Sequence, residues 1–526
     1  METDAPEKGS LMRSAGIVSA ATLISRVLGL VREQVTAYLF GAGDLVDAFK
    51  SAFRIPNLLR DMFAEGALSA GFVPLFTQKL RSGGREEAIR FAGLVFGALT
   101  AVVSAVVIFM IAVTPQIATV IAEGFESVPG KLDATIAMAR VMMPFLLLVS
   151  LAAMLMGVLN SLGKFFIPAL APALMNVGMI ICSIVLAPFV DPPVMSLAIG
   201  VLVGGAMQFF IQYLALKKIG FRFPLIFDLA NPDLYRLLLL ILPTAVGLAA
   251  TQINVAVITR IASGDSGAVS YLDYAFRLLH LPLGLFAIAI ATVALPRLSG
   301  EAAAGNDAEF GRIHSSALRL GLFLSLPGTV LMILLAHEIC AAVYQYGAFT
   351  ASDAVNTGRA LAMYGIGLPF FTLVRISVPA FYAMRDTRTP ALVSILSVAI
   401  NIVLCFQLQG RLGFAGLALA ASLAGLANFA LLSFLLHRRT GLAHDAAFYG
   451  ALLKIAAAAA AMGAAVWATR EFVLRELIKS DLHRLLQVVI LCAVAAAVFV
   501  LMCKILKLEE WTRLWGAVNR KLSRRS

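Results

Sequence analysis

Long apolar runs separated by short polar connections set the pattern of this chain. Fourteen runs are long enough to cross a bilayer as helices, since about 20 apolar residues span its hydrocarbon core. They lie at about 11–40, 44–80, 90–121, 134–159, 163–188, 194–216, 234–261, 268–296, 312–336, 355–384, 389–408, 412–436, 447–469 and 485–506. Several run past 25 residues, which predicts kinks, tilt or extension beyond the bilayer. The runs are unbroken rather than alternating, so the pattern excludes a β-barrel. The predicted class is an all-α polytopic membrane protein with 14 transmembrane helices.

Composition agrees. Of 526 residues, 60% are hydrophobic and 14% charged, where a soluble chain carries about 25% charged residues. A mean hydropathy of +0.90 excludes soluble enzymes and secreted disulfide scaffolds. The net charge of +12 would suggest nucleic acid in a soluble protein. In a membrane protein it raises the question of which face carries it, and no nucleic-acid partner is expected. With the N-terminus in the cytoplasm, the inner connections and termini hold 25 Lys and Arg and the outer ones 8. The positive-inside rule therefore predicts both termini in the cytoplasm and an even number of spans. The opening METDAPEKGS shows no cleavable signal pattern, so the first apolar run is expected to stay. Cys182, Cys340, Cys405, Cys492 and Cys503 stand singly in apolar segments and read as small core or lipid-facing residues.

The halves of the chain repeat. Ala52-Phe53-Arg54, with Pro74 beyond it, matches Ala275-Phe276-Arg277 with Pro296 beyond it. Met143-Pro144-Phe145 faces Leu368-Pro369-Phe370, and Pro168-Ala169-Leu170 faces Pro390-Ala391-Leu392. The shared offset predicts two six-helix lobes, at 1–220 and 221–440. Six is even, so the repeat is parallel, with a transport pathway expected between the lobes. Residues 441–526 add two helices and a basic tail.

Nine cations fall inside spans: Arg26, Arg32, Lys50, Arg54, Arg60, Arg140, Arg277, Arg375 and Lys454. Each would cost roughly 2.5–3.5 kcal/mol at a helix centre, so all but Lys454, which can snorkel, need a cavity, a partner or a ligand. On the second span Asp47, Lys50, Arg54, Asp61 and Glu65 line one face, with Pro56 among them to open the backbone ladder. On the first span Arg26 and Glu33 share a face, and Ser25, Gly29 and Arg32 share its neighbour. Two readings stand side by side: structural ion pairs, or a wet cavity. The two spans and their link are charge-balanced, so surplus positive charge must come from elsewhere, and Arg277 at the matching place in the second lobe can supply it. Arginine forks suit a diphosphate or another anionic head group, whereas a cavity for cations would be expected to show acids without partners.

No GxxxxGK[ST] motif is present, so ATP hydrolysis is not expected. No HExxH and no histidine spacing suggests a metal site, and no cofactor is expected. Connections are short, which favours an energised transporter over an enzyme. Trp511, Leu514, Trp515, Val518 and Leu522 recur at helical spacing among basic residues, which predicts an interfacial helix on an anionic leaflet.

Ser25-Arg26-Val27-Leu28-Gly29-Leu30-Val31-Arg32-Glu33, then Phe40-Gly41-Ala42-Gly43 and Asp47-Ala48-Phe49, closely resemble the MurJ (MviN) family. So do Ile55-Pro56-Asn57-Leu58-Leu59-Arg60, Phe63-Ala64-Glu65-Gly66-Ala67 and Phe72-Val73-Pro74, with Tyr274-Ala275-Phe276-Arg277-Leu278 further on. The resemblance implies a lipid II flippase of peptidoglycan synthesis in the bacterial inner membrane, with the multidrug/oligosaccharidyl-lipid/polysaccharide exporter fold. Its expected partners are lipid II, membrane lipids and cell-wall synthesis proteins. It implies that Arg26, Arg32, Arg60 and Arg277 serve a central cavity, with Glu33 beside them and Asp47 important. The set of candidate cavity residues is then Arg26, Arg32, Glu33, Asp47, Arg54, Arg60, Glu65 and Arg277. It also implies that the final two helices form a groove for the lipid tail. Asp61 and His280 depart from the family pattern. The rival readings are a drug or organic-cation antiporter, a flippase for another lipid-linked oligosaccharide, a membrane enzyme and a scaffold.

Overall fold

The structure is a computed structural model that describes residues 8–60, 67–441, 446–474 and 481–522, with side chains over slightly narrower stretches. The described residues form helices joined by short turns, with no strand among them. In chain order the helices are α1 (Lys8–Phe40), α2 (Asp44–Arg60), α3 (Ala67–Ser82), α4 (Gly84–Ile121), α5 (Lys131–Met142), α6 (Pro144–Ser161), α7 (Phe166–Leu186), α8 (Met195–Lys218) and α9 (Pro232–Ala262). They continue with α10 (Ala268–Ala304), α11 (Asp307–Leu334), α12 (Ala336–Tyr344), α13 (Ala351–Ala383), α14 (Arg388–Leu412), α15 (Phe414–Thr440), α16 (Ala446–Ala468), α17 (Asp481–Ile505) and α18 (Glu509–Leu522).

Among the described residues 11 helical stretches are long and apolar enough to cross a membrane. The sequence spans at 11–40, 44–80 and 234–261 are not among them. The spans at 11–40 and 234–261 hold residues whose side chains lie outside the described ones, and α2 is a short helix of 17 residues crowded with Asp44, Asp47, Lys50, Arg54 and Arg60.

The chain divides into two compact units. Unit 1 is residues 1–270 with 346–349, and unit 2 is residues 271–345 with 350–526. The repeat places a lobe boundary at 220, whereas packing groups α9 with unit 1. α9 packs on α3, where a Cβ on Gly71 would meet Leu237 and Ile241 at 3.1 Å, and the connection before it lies on α4: a Cβ on Gly93 would meet the Pro224 carbonyl oxygen at 2.2 Å, and one on Gly97 that of Ile226 at 2.0 Å. Residues 224–226 therefore lie directly on α4.

Unit 1 is built around aromatic and sulfur side chains. Phe72, Phe76, Phe145, Met138, Met142 and Met143 are fully buried, and Phe72 stacks on Phe91 with ring centroids 5.7 Å apart. α7 and α8 meet backbone to backbone through small residues. A Cβ on Gly204 would lie 2.6 Å from the Met175 Cα, and one on Gly200 2.7 Å from the Met179 Cα. This contact fixes the α7 face that carries Asn176.

In unit 2, Thr350 and Asp353 form a capping box at the start of α13, and Tyr271 donates from its hydroxyl to Asp353 at 2.9 Å. α18 does not rest on lipid alone. Trp511 and Leu514 pack on a cluster of Phe323, Ile455, Ala458, Cys503 and Leu508, while Trp515 stays half exposed and stacks on Trp511.

Gly204→Val would force α7 and α8 apart. We expect it to lower thermal stability of the purified protein by roughly 1–3 kcal/mol, as overpacking does. Gly300→Ala, whose Cβ meets nothing within 4 Å, should be neutral or slightly stabilising. Equal melting temperatures for the two variants would contradict the close-packed contact.

Candidate functional site

Two charged clusters in unit 1 organise the residues singled out above. The first lies where α1 meets α7 and α2. Arg32 donates from Nη1 to Asn176 Oδ1 at 3.0 Å and approaches Met179 Sδ at 3.7 Å. Its other terminal nitrogen pairs with Glu33. Glu33 also faces Lys50, 3.7 Å from Nζ. All three charged side chains are buried. One carboxylate thus stands between two cations, which leaves the trio with a formal charge of +1. Asn176 in turn donates to the Ser25 carbonyl at 3.3 Å, so it tethers α7 to α1 one turn before Gly29.

Arg54 follows Lys50 by four residues and shares its face of α2; it is half-buried, as is Arg60 at the helix end. Arg26 is exposed on α1. Arg277 is exposed in unit 2. Asp61 and Glu65 lie outside the described residues. Pro56 sits inside α2 without ending it.

The second cluster centres on Asp47, which has no solvent exposure. Its Oδ1 accepts from the Ser270 backbone N–H at 2.8 Å and from the Ser270 hydroxyl at 2.6 Å. Its Oδ2 accepts from the Gly267 N–H at 2.7 Å and from Lys131 Nζ at 3.2 Å. Lys131 also donates to Asp44 at 2.6 Å, and Ser266 donates to Asp44 at 2.8 Å. Asp47 therefore caps the first turn of α10 from another helix, where a carboxylate is favoured. The neighbouring turn is held as well: the Ala348 N–H donates to the Tyr38 carbonyl at 2.8 Å, and Gly41 and Gly347 adopt left-handed φ values of 72° and 59°.

The sequence model of the lipid II flippase MurJ family matches residues 36–505. The chain belongs to that family. A probable lipid II flippase MurJ from Rhizobium tropici is 39% identical over 434 residues, which cover 82% of this chain and 81% of the relative. The lipid II flippase MurJ of Burkholderia cenocepacia is 34% identical over 444 residues, 82% of this chain and 85% of the relative. A solved structure of a lipid II flippase MurJ in an inward closed conformation is 29% identical, with a TM-score of 0.78, and covers 93% of this chain and 99% of that one. An inward-facing multidrug transporter of the MATE family shares the fold, with a TM-score of 0.68 at 14% identity over 82% of this chain and all of that one.

Seen within the MurJ family, the candidate residues separate by surroundings. Arg32 and Glu33 come together with Lys50. Asp47 sits apart, with both oxygens committed to the chain itself. Its surroundings are those of a structural joint rather than of a group waiting for substrate. Sequence reasoning missed Asn176 and Lys131. Asn176 was detectable as an amide in an otherwise apolar span. Lys131 carried no such signal, because it reads as an ordinary connection charge.

Removing Asp47 would leave the 3%-exposed Lys131 with Asp44 alone. Losing one member of a buried pair costs about 3–5 kcal/mol. We expect Asp47→Ala to lower folded yield and melting temperature sharply. In the double variant with Lys131→Met the two losses should be less than additive. Strict additivity in thermal unfolding would dissolve the joint.

Proposed function

We propose that this chain flips lipid II from the inner to the outer leaflet of the bacterial inner membrane, with the diphosphate held by the cationic cluster around Arg32. The observation that carries the reading is the buried Arg32–Glu33–Lys50 trio, whose single carboxylate faces two cations. Membership of the lipid II flippase family supports the substrate, and a transporter family supports transport rather than catalysis.

In this reading the protein has 14 transmembrane helices with both termini in the cytoplasm, arranged as two six-helix lobes with two further helices. Arg26, Arg54 and Arg60 add positive charge along the path on α1 and α2. Arg277, which corresponds to Arg54 in the repeat, is the candidate cation of the second lobe. Glu33 holds Arg32 and Lys50 in place while no phosphate is bound. An incoming diphosphate offers more charge than one carboxylate and draws the guanidinium toward itself, as bidentate geometry favours. The head group crosses by alternating access while the polyprenyl tail stays in lipid. Resetting a cationic site across the membrane couples to its potential at about 2.3 kcal/mol per charge per 100 mV.

An exporter of organic cations would need acidic groups open to its cargo. Among the described residues of α1 and α2 the carboxylates Glu33, Asp44 and Asp47 all face cations of the chain. That favours an anionic cargo.

The experiment is lipid II sidedness in spheroplasts after conditional depletion, read with an impermeant enzyme that cleaves exposed lipid II. Depletion should leave lipid II accumulated and protected. Arg32→Ala and Arg277→Ala, as sole copies that still insert, should fail to restore cleavage, with Arg32→Lys intermediate. Normal cleavage with both alanine variants would remove the cationic site from the reading.

A further inference from the structure

Unit 2 contains a large cavity that the flipping site does not use. Its volume is about 1320 Å³, larger than the roughly 300–1,000 Å³ of small-molecule pockets. Its walls come from α10, α11 and α15, with Tyr449 of α16 and the start of α18 closing the rim.

Each wall runs from apolar to basic in the same direction. On α10 the lining residues Leu285, Ala289, Val293 and Arg297 step by four, so they form one stripe that ends in a cation. On α11 the lining residues Arg312, Ser316, Leu320 and Leu324 step by four in the opposite sense. On α15 Phe434 lies one turn before His437. Leu285, Val293 and Phe434 are more than half exposed. The lining cations are Arg297, Arg312 and Arg513 and, further along α11 beside Leu320, Arg319. Three of these already face acids: Arg312 with Glu309, Arg319 with Glu510 at 3.5 Å, and Arg513 with Glu509 at 3.0 Å. Arg297 has no partner among the described residues, and it gives the rim a surplus positive charge. In the α15 wall, the buried Ser433 hydroxyl finds no hydrogen-bond partner among the described residues.

We propose that this cavity is a binding site for an anionic phospholipid. Acyl chains lie along the Leu285–Val293 and Leu324 stripes. The headgroup phosphate sits at Arg297, with Arg312 and His437 beside it. The chemistry follows from the gradient: only a molecule with an apolar body and an anionic end satisfies both halves of the wall at once. A soluble anion would leave the apolar half wet, and a zwitterionic lipid would bring its own ammonium beside the phosphate and leave the surplus charge of the rim uncancelled. α18 closes the site, because Arg513 bridges to Ser316 at 3.0 Å. The tail helix would then be seated partly by the lipid it covers.

The test uses the full-length protein, delipidated in detergent, and a fluorescent phosphatidylglycerol, with phosphatidylcholine of the same chains as comparator. Phosphatidylglycerol should bind about tenfold more tightly, the equivalent of one charge-assisted contact. Arg297→Gln with Arg312→Gln should erase that preference while leaving the melting temperature unchanged. Val293→Trp should weaken both lipids by filling the slot; should that variant fail to fold, the exposed arginine pair still decides. Equal binding of the two lipids, or an unchanged preference in the arginine variant, would overturn the proposal. Displacement by inorganic phosphate alone would make the site one for a free anion. Displacement by undecaprenyl phosphate but not by unlabelled phosphatidylglycerol would assign it to a polyprenyl chain. Either result would also overturn the proposal.

Discussion

A carboxylate with no access to water is tolerated only where every lone pair is met, and Asp47 is placed on those terms. Four donors from two separate stretches converge on its two oxygens: Lys131 at the start of α5, and Gly267 with both groups of Ser270 at the start of α10. Burial makes such a node expensive to leave half-made, so it holds as a whole or not at all. α2 is anchored there at its N-terminal end. Everything further along that helix, from Lys50 to Arg60, takes its direction from the anchor and from the Phe49, Ala52 and Ile55 face sunk into the core of unit 1.

The second cluster is built on the opposite principle. Arg32 and Lys50 share Glu33 through side-chain contacts, where Asp47 also takes backbone N–H donors. Asn176 matters here because it is neutral: it fixes the guanidinium without cancelling its charge. The glycine contacts that press α8 on α7 therefore reach the chemistry, since they set the helix face on which Asn176 stands.

Much of this architecture is legible in the sequence. The span expected at 312–336 appears as Asp307–Leu334, and that at 355–384 as Ala351–Ala383, because long apolar runs leave a chain no alternative to helix in a bilayer. Arg32, Glu33 and Asp47 stand out for the same reason, as charges where charge is costly. What stays hidden is pairing across sequence distance. Asp47 and Lys131 lie 84 residues apart, and Arg32 and Asn176 lie 144 apart. Helical spacing reports which residues share a face, and it is silent on which face meets another. That silence explains why Asp47 joins the cavity list by its place on the stripe of α2, while its surroundings make it a joint. It also explains α18, whose Trp511 and Leu514 read as a membrane face but pack on the protein.

The contrast between completed and uncompleted pairing extends to unit 2. Of the cations lining its cavity, Arg312, Arg319 and Arg513 each face an acid on α11 or α18, and Arg297 does not. The exposed pairs Arg312–Glu309 and Arg513–Glu509 add little stability, so their number says nothing about why the cluster exists. Their arithmetic does, because the surplus sits at the end of an apolar stripe rather than on open surface. In unit 2, then, the position of function is set less by where charge is dense than by where a cation lacks an acid among the described residues. On α10 that cation lies where a lipid phosphate would end. A membrane protein that must hold an anion for a moment, and another that must hold one indefinitely, meet the same electrostatic requirement. They differ in whether a carboxylate such as Glu33 is at hand to take the cation back.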